Sequence, residues 1–160
     1  MRRLFWPALL VAGMTLAACG GSTGTGTTSP TSPAAAAEVT TASITVSGKT
    51  QTVLKNANGL TLYYFTPDTS AKVACTAACA TTWPPLLATS DSPTASPALP
   101  AKLTVLNGTN GKQVLYNGHP LYTFSRDSGQ ADALGQGIAG KWFVATPDLA
   151  AAPAAAKYNY

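Results

Sequence analysis

The chain repeats itself, and this limits its architecture more than any other feature. Asn58-Gly59-Leu60-Thr61-Leu62-Tyr63-Tyr64-Phe65-Thr66-Pro67-Asp68 lies over Asn117-Gly118-His119-Pro120-Leu121-Tyr122-Thr123-Phe124-Ser125-Arg126-Asp127 at an offset of 59 residues, and the same offset places Trp83 on Trp142. Over positions 58–83, nine of 26 residues are identical, and six of the nine are Gly, Asn, Asp or aromatic, types with narrow physical demands. Two copies are too few for a solenoid, which needs three or more stacked units. Two halves packed around a pseudo-twofold axis fit better.

Within each half the signals are for strands. Ser43-Ile44-Thr45-Val46 and Gln51-Thr52-Val53-Leu54 are short and rich in β-branched residues, with Gly48-Lys49 as the turn between them. Leu60 to Thr66 alternates with aromatics, as a half-buried strand does. Leu103-Thr104-Val105-Leu106 and Gln113-Val114-Leu115-Tyr116 precede Asn117-Gly118, a strong hairpin signal because both central residues of a type I′ turn need positive φ. Leu121-Tyr122-Thr123-Phe124 then returns as the partner strand, and Trp142-Phe143-Val144-Ala145 forms a last one. The expected fold is mainly β: two related β-meanders packed as one small domain, with at most a short helix around Ala74 to Thr81, near Cys75-x-x-x-Cys79.

The ends of the chain read differently. Arg2 and Arg3 precede an uncharged apolar stretch, Leu4 to Ala18, which ends in Leu16-Ala17-Ala18-Cys19. It is shorter than the roughly 20 apolar residues of a permanent membrane helix, and it matches a secretory signal. Small residues followed by cysteine are the pattern of a bacterial lipoprotein signal, so residues 1–18 are expected to be removed and Cys19 to carry a diacylglyceryl group (palmitate is a typical chain). Two acyl chains anchor a protein stably where one does not. Loss of Arg2 and Arg3 lowers the net charge from +4 to +2, and the seven lysines are scattered, so the basic balance is no argument for nucleic acid. Residues 20–37 hold no aromatic or large aliphatic side chain and read, with Cys19, as a lipidated and disordered tether. The two-repeat domain is expected over 38–148, with repeat 1 about 43–87, a low-complexity linker 88–101 and repeat 2 about 102–147. Residues 149–160 form an Ala-rich tail.

Taken together, Tyr-x-Phe-x-x-Asp twice, the Cys-x-x-x-Cys followed by Trp83-Pro84-Pro85-Leu86, Tyr116-Asn117-Gly118 with Pro120-Leu121-Tyr122, and Gly135-Gln136-Gly137 before Trp142 resemble bacterial secreted-repeat lipoproteins of unknown function, a family marked by a Tyr-x-[Phe/Trp]-x-x-Asp motif. The resemblance runs from about Val53 to Pro147. It implies attachment, a repeat and a β-rich fold, and it supplies no catalytic residue.

Few residues carry chemistry. Cys75 and Cys79 lie in a compartment that permits disulfides, and a structural bridge is expected there; a redox or copper site using both thiols and His119 is the alternative. The apolar residues at the equivalent positions, Leu134 and Ile138, suggest that each half makes a similar pair of buried contacts. Asp68 and Asp127 are either paired carboxylates for acid/base work or strand-ending acceptors of backbone N–H groups. Repetition favours the second. Tyr63, Phe65, Trp83, Tyr122, Phe124 and Trp142 are expected in the core rather than on a ligand platform. The single histidine sits in no triad context, so no enzyme is expected, and no cofactor. The expected protein is an extracytoplasmic lipoprotein held to the bilayer by acylated Cys19. It would serve as a non-catalytic binding or cell-envelope module on the outer face of the cell membrane, with a redox or copper relay as the alternative.

Overall fold

The computed structural model describes residues 37–154. The expected signal peptide, Cys19, the tether up to residue 36 and the last six residues lie outside that range. Strands β1 (Val39–Val46) and β2 (Lys49–Asn56) form an antiparallel hairpin. Its turn is Ser47-Gly48, one residue before the expected position, with φ of 49° and 80°, the positive pair that matches strand twist. Along β1, Ile44 and Val46 are buried while Ser43 and Thr45 face solvent, the period of two that a half-covered strand requires. Strand β3 (Tyr63–Phe65) is the regular part of the expected Leu60–Thr66 strand, and Thr61 makes an isolated bridge to Lys55. The helix is a single turn, α1 (Ala78–Thr82), later and shorter than the expected Ala74–Thr81.

Residues 88–101 are more than a spacer. They contribute β4 (Ala95–Ser96), which pairs in parallel with β1. The backbone N–H groups of Glu38 and Val39 donate to the Thr94 carbonyl at 3.0 and 3.2 Å. Ala95, Leu99 and Ala101 pack against the core. The apolar residues here are spaced among Ser and Pro, which gives the segment its low-complexity appearance.

Repeat 2 supplies β5 (Leu103–Gly108), β6 (Gly111–Tyr116) and β7 (His119–Pro120), a sheet in that order. The β6–β7 turn is Asn117-Gly118 with φ of 46° and 82°, the conformation that Asn-Gly favours. Leu121–Phe124 does not extend as a regular strand; Tyr122 instead makes isolated bridges to Tyr63 and Pro85. The last strand, β8 (Trp142–Val144), pairs with β3 of repeat 1.

The repeats exchange their closing segments. Leu62 N–H donates to Leu54 O, Leu54 N–H to Ala145 O and Ala145 N–H to Leu62 O, at 2.8–2.9 Å. The other half repeats this closed ring: Leu121 N–H to Val114 O, Val114 N–H to Leu86 O, and Leu86 N–H to Leu121 O. Each ring takes two members from one repeat and one from the other. The rings also show where the gapless alignment ends. Leu62 and Leu121 differ by 59, but Leu54 and Val114 differ by 60, because the turn ending at Gly59 is one residue longer than its counterpart. Buried side chains form two clusters, one around Tyr63, Trp83, Tyr122 and Trp142, the other around Val39, Leu54, Leu62, Val114, Tyr116 and Leu121.

Candidate functional site at the repeat interface

The recurring residues converge where the two halves meet. Tyr63 and Tyr122 sit opposite each other and exchange backbone hydrogen bonds, Tyr63 N–H to Tyr122 O at 2.8 Å and Tyr122 N–H to Tyr63 O at 3.0 Å. Their side chains cross. Tyr63 Oη donates to Asp127 Oδ2 at 2.6 Å and Tyr122 Oη donates to Asp68 Oδ2 at 2.7 Å. The tyrosine of each motif is thus bound by the aspartate of the other. The remaining oxygen of each carboxylate accepts a backbone N–H, Ala74 to Asp68 Oδ1 at 2.7 Å and Leu134 to Asp127 Oδ1 at 3.1 Å. The expected strand-ending role is therefore half of the arrangement, with donors six and seven residues on rather than in a local turn. The cross-repeat half is new.

Burial governs the electrostatics. Both carboxyls are pushed above the ordinary carboxylate value, because desolvation outweighs the hydrogen bonds that favour the charged form. Both phenols are pushed up as well, by burial first and by the neighbouring carboxylate second. Paired carboxylates could work as acid and base only if a substrate reached them. Asp68 is 1% exposed and Asp127 7%, and every carboxylate oxygen is engaged.

The aromatics form one stack across the interface. Phe65 lies on Trp142 with centroids 4.3 Å apart, Trp142 on Trp83 at 3.8 Å and 2° between planes, and Trp83 on Phe124 at 4.4 Å. Each motif phenylalanine thus stacks on the tryptophan of the other repeat. Tyr63 meets Trp83 edge-on at 5.4 Å, and Tyr122 meets Trp142 edge-on at 5.1 Å. Such contacts contribute about 0.5–1.5 kcal/mol each beyond area burial. Gly135 is the close approach that this stack requires. A Cβ there would lie 2.8 Å from the rings of Trp83 and Tyr63, and its N–H donates to Tyr63 Oη at 3.2 Å.

Cys75 and Cys79 form a disulfide with Cα atoms 5.2 Å apart. Cys75 is fully buried in the aromatic cluster and Cys79 packs against it. The expected parallel with Leu134 and Ile138 fails: these are 61% and 36% exposed. In repeat 2 the backbone itself comes against the rings at Gly135, and the Leu134 and Ile138 side chains turn outward. His119 is not brought to the sulfurs. It lies beside Tyr64, with ring centroids 4.8 Å apart, and its Nε2 bonds to the Ala150 carbonyl at 3.0 Å. No group of three potential metal ligands occurs among the described residues.

The sequence reading missed Lys55. This lysine is 2% exposed, and its Nζ donates to Thr61 Oγ1 and to the Gln130 carbonyl, both at 2.7 Å. Desolvation lowers its pKa, opposed by the charges of Asp127 and Asp132. It clamps the Ser128–Asp132 loop of repeat 2 onto β2. Its only sequence signal was a lysine in an otherwise apolar strand end. A shallow groove of about 360 Å³ is lined by Gln51, Thr52, Thr146, Pro147 and Asp148, none of them a candidate residue.

No curated protein and no solved structure matches the chain. A family model does, twice, at residues 44–87 and 104–146. The matched segments enclose the crossed Tyr–Asp pairs, the tryptophan stack and the disulfide, and the first is one residue longer, as the longer turn of repeat 1 requires. The chain belongs to the Lipoprotein_15 family, a secreted repeat of unknown function.

Proposed function

We propose that this extracytoplasmic protein is a non-catalytic binding or cell-envelope module, held to the outer face of the membrane by diacylglyceryl-Cys19. One observation carries the non-catalytic half. The candidate groups for chemistry are engaged within the fold: both carboxylates and both phenols across the repeat interface, and both sulfurs in a local bridge. The anchored half rests on the charge, length and small-residue pattern before Cys19, and no helix among the described residues is long and apolar enough to cross a membrane.

Cell fractionation with metabolic labelling by a palmitate analogue tests the anchor. The wild type should label and sediment with membranes. Cys19→Ser should lose the label and appear either soluble or as an uncleaved precursor. A processed Cys19→Ser protein that stays with membranes through a high-salt wash would overturn the anchor. Free thiols or bound copper at Cys75 and Cys79 in fresh protein would favour the relay instead.

A further inference from the structure

The side chains of residues 37–154 that lose an electron most readily are gathered at the repeat interface. Trp83 and Trp142 are the two tryptophans of this range, and Tyr63 and Tyr122 are two of its four tyrosines. Sulfur, the usual competitor for oxidants, is already paired as Cys75–Cys79, and both methionines of the chain stand at positions 1 and 14. Each indole lies between two aromatic rings at 3.8–4.4 Å, Trp142 between Phe65 and Trp83, and Trp83 between Trp142 and Phe124. A ring face carries the negative part of the quadrupole, so positive charge on either indole is stabilised from both sides. Tyr63 and Tyr122 meet these indoles edge-on at 5.4 and 5.1 Å. Each phenol in turn donates to a carboxylate at 2.6 or 2.7 Å, within the reach at which a base takes a proton. Tyr116 is equally buried but donates to the Pro147 carbonyl, a far weaker base. Burial also disfavours the charged form of both aspartates, so a proton that reaches either one relieves a desolvated charge.

We infer that the repeat interface is a one-electron donor site for strong oxidants, at which the Trp83–Trp142 pair is oxidised first and Tyr63 or Tyr122 ends as a neutral phenoxyl radical. The oxidant is a radical or a high-potential metal centre at the domain surface. It takes one electron from an indole and leaves a tryptophan radical cation. The neighbouring tyrosine returns an electron to that indole while its O–H bond breaks. The proton passes to Asp127 Oδ2 from Tyr63, or to Asp68 Oδ2 from Tyr122. The indole is restored, a phenoxyl and a neutral carboxyl replace a phenol and a carboxylate, and the net loss is one electron. One buried negative charge disappears in the step, which a low-dielectric site favours. A one-electron reductant such as ascorbate, with return of the proton, resets the pair. Electron transfer needs no substrate cavity, so the site goes beyond the binding-module reading and does not depend on it.

Flash photolysis of the full chain tests it, with photogenerated tris(bipyridine)ruthenium(III) as the oxidant and transient absorption as the readout. In the wild type the indole radical signal should decay as a phenoxyl signal rises. Asp68→Asn with Asp127→Asn keeps an acceptor for each phenol but removes the base. In that variant the indole radical should persist, and the phenoxyl rise that follows its decay should be lost. Repeated cycles in air with ascorbate should leave the wild-type indoles unmodified by peptide mass mapping, whereas the variant should gain oxygen at Trp83 and Trp142. Equal indole decay in the two proteins, or no indole radical in the wild type, overturns the site. If the variant does not fold, time-resolved infrared spectroscopy of the wild type decides. A protonated-carboxyl band that grows with the phenoxyl supports proton transfer to the aspartates, and a phenoxyl without that band refutes it.

Discussion

A tyrosine hydroxyl on a buried carboxylate is a strong anchor because the acceptor is charged and water is excluded. Removing one partner leaves the other buried and unsatisfied, a loss of about 1.5–3 kcal/mol for a bond to a charged group. Tyr63→Phe and Tyr122→Phe should each lower stability by about that amount in urea titration. Tyr63→Phe combined with Asp127→Asn should cost less than the sum of the single changes, because the two residues share one interaction; strict additivity would show that they do not. The two aspartates also set a pH dependence. Their native pKa values lie above the ordinary 3.8, so the folded state holds these protons more tightly than the unfolded chain. Their contribution is full below pH 3.8 and is lost as pH rises through the native values. Asp68→Asn with Asp127→Asn keeps an acceptor for each tyrosine and removes this slope. The urea midpoint of the wild type should therefore fall relative to the variant as pH rises from 3.8, and parallel curves would refute the assignment.

Among the elements, the disulfide turn and the segment 147–153 that follows β8 act locally. Cys75–Cys79 closes a loop of five residues, and chain-entropy arithmetic gives about 2 kcal/mol for so short a loop. Cys75→Ala with Cys79→Ala should cost about that, plus a smaller cavity penalty at the fully buried Cys75, and reduction of the wild type should shift its denaturation midpoint similarly. Replacement by leucine and isoleucine does not reproduce repeat 2, because Leu134 and Ile138 face solvent and leucine at Cys75 would overpack the site. His119 supplies one of the side-chain bonds that hold residues 147–153 over the β6–β7 hairpin, beside those from Tyr116 and Asn117 and the main-chain bond from Ala152 N–H to Asn117 O. Its Nε2 donates to Ala150 O, its Nδ1 is buried without a partner, and burial lowers its pKa below 6.5. A lowered native value means that stability is present above pH 6.5 and lost as pH falls from there through the lowered native value, opposite in sign to the aspartates. Protection of the Ala152 amide, corrected for intrinsic exchange, should decline on acidification below pH 6.5 in the wild type. It should stay level in His119→Gln, which can still donate to Ala150 O. Equal declines in the two proteins would remove His119 as the cause.

For the whole molecule, what the sequence disclosed was local. Short runs of β-branched and other apolar residues marked β1, β2, β5 and β6, Asn117-Gly118 marked its turn, and the repeat marked the two halves, because each of these signals is read along the chain without knowing what packs against what. The crossing was hidden, since a linear motif cannot say whether Tyr63 meets Asp68 or Asp127. Lys55 was hidden because it breaks the repeat, and β4 because its apolar residues are diluted by Ser and Pro. The exchange has one consequence that none of these signals carried: neither half is closed without the other. Repeat 2 lacks Leu86 for its ring and repeat 1 lacks Ala145, and each would bare its part of the aromatic stack. Pieces of such length seldom bury enough apolar surface alone. A protease site at the exposed Ser90–Ser92, cut in the folded protein, should therefore give two pieces that co-elute and melt in one transition. Once unfolded and separated, neither piece should regain a cooperative transition, and mixing them should restore it. A cooperative transition in either piece alone would show that the hairpins close by themselves and that the crossed Tyr–Asp pairs only decorate the contact between two finished halves.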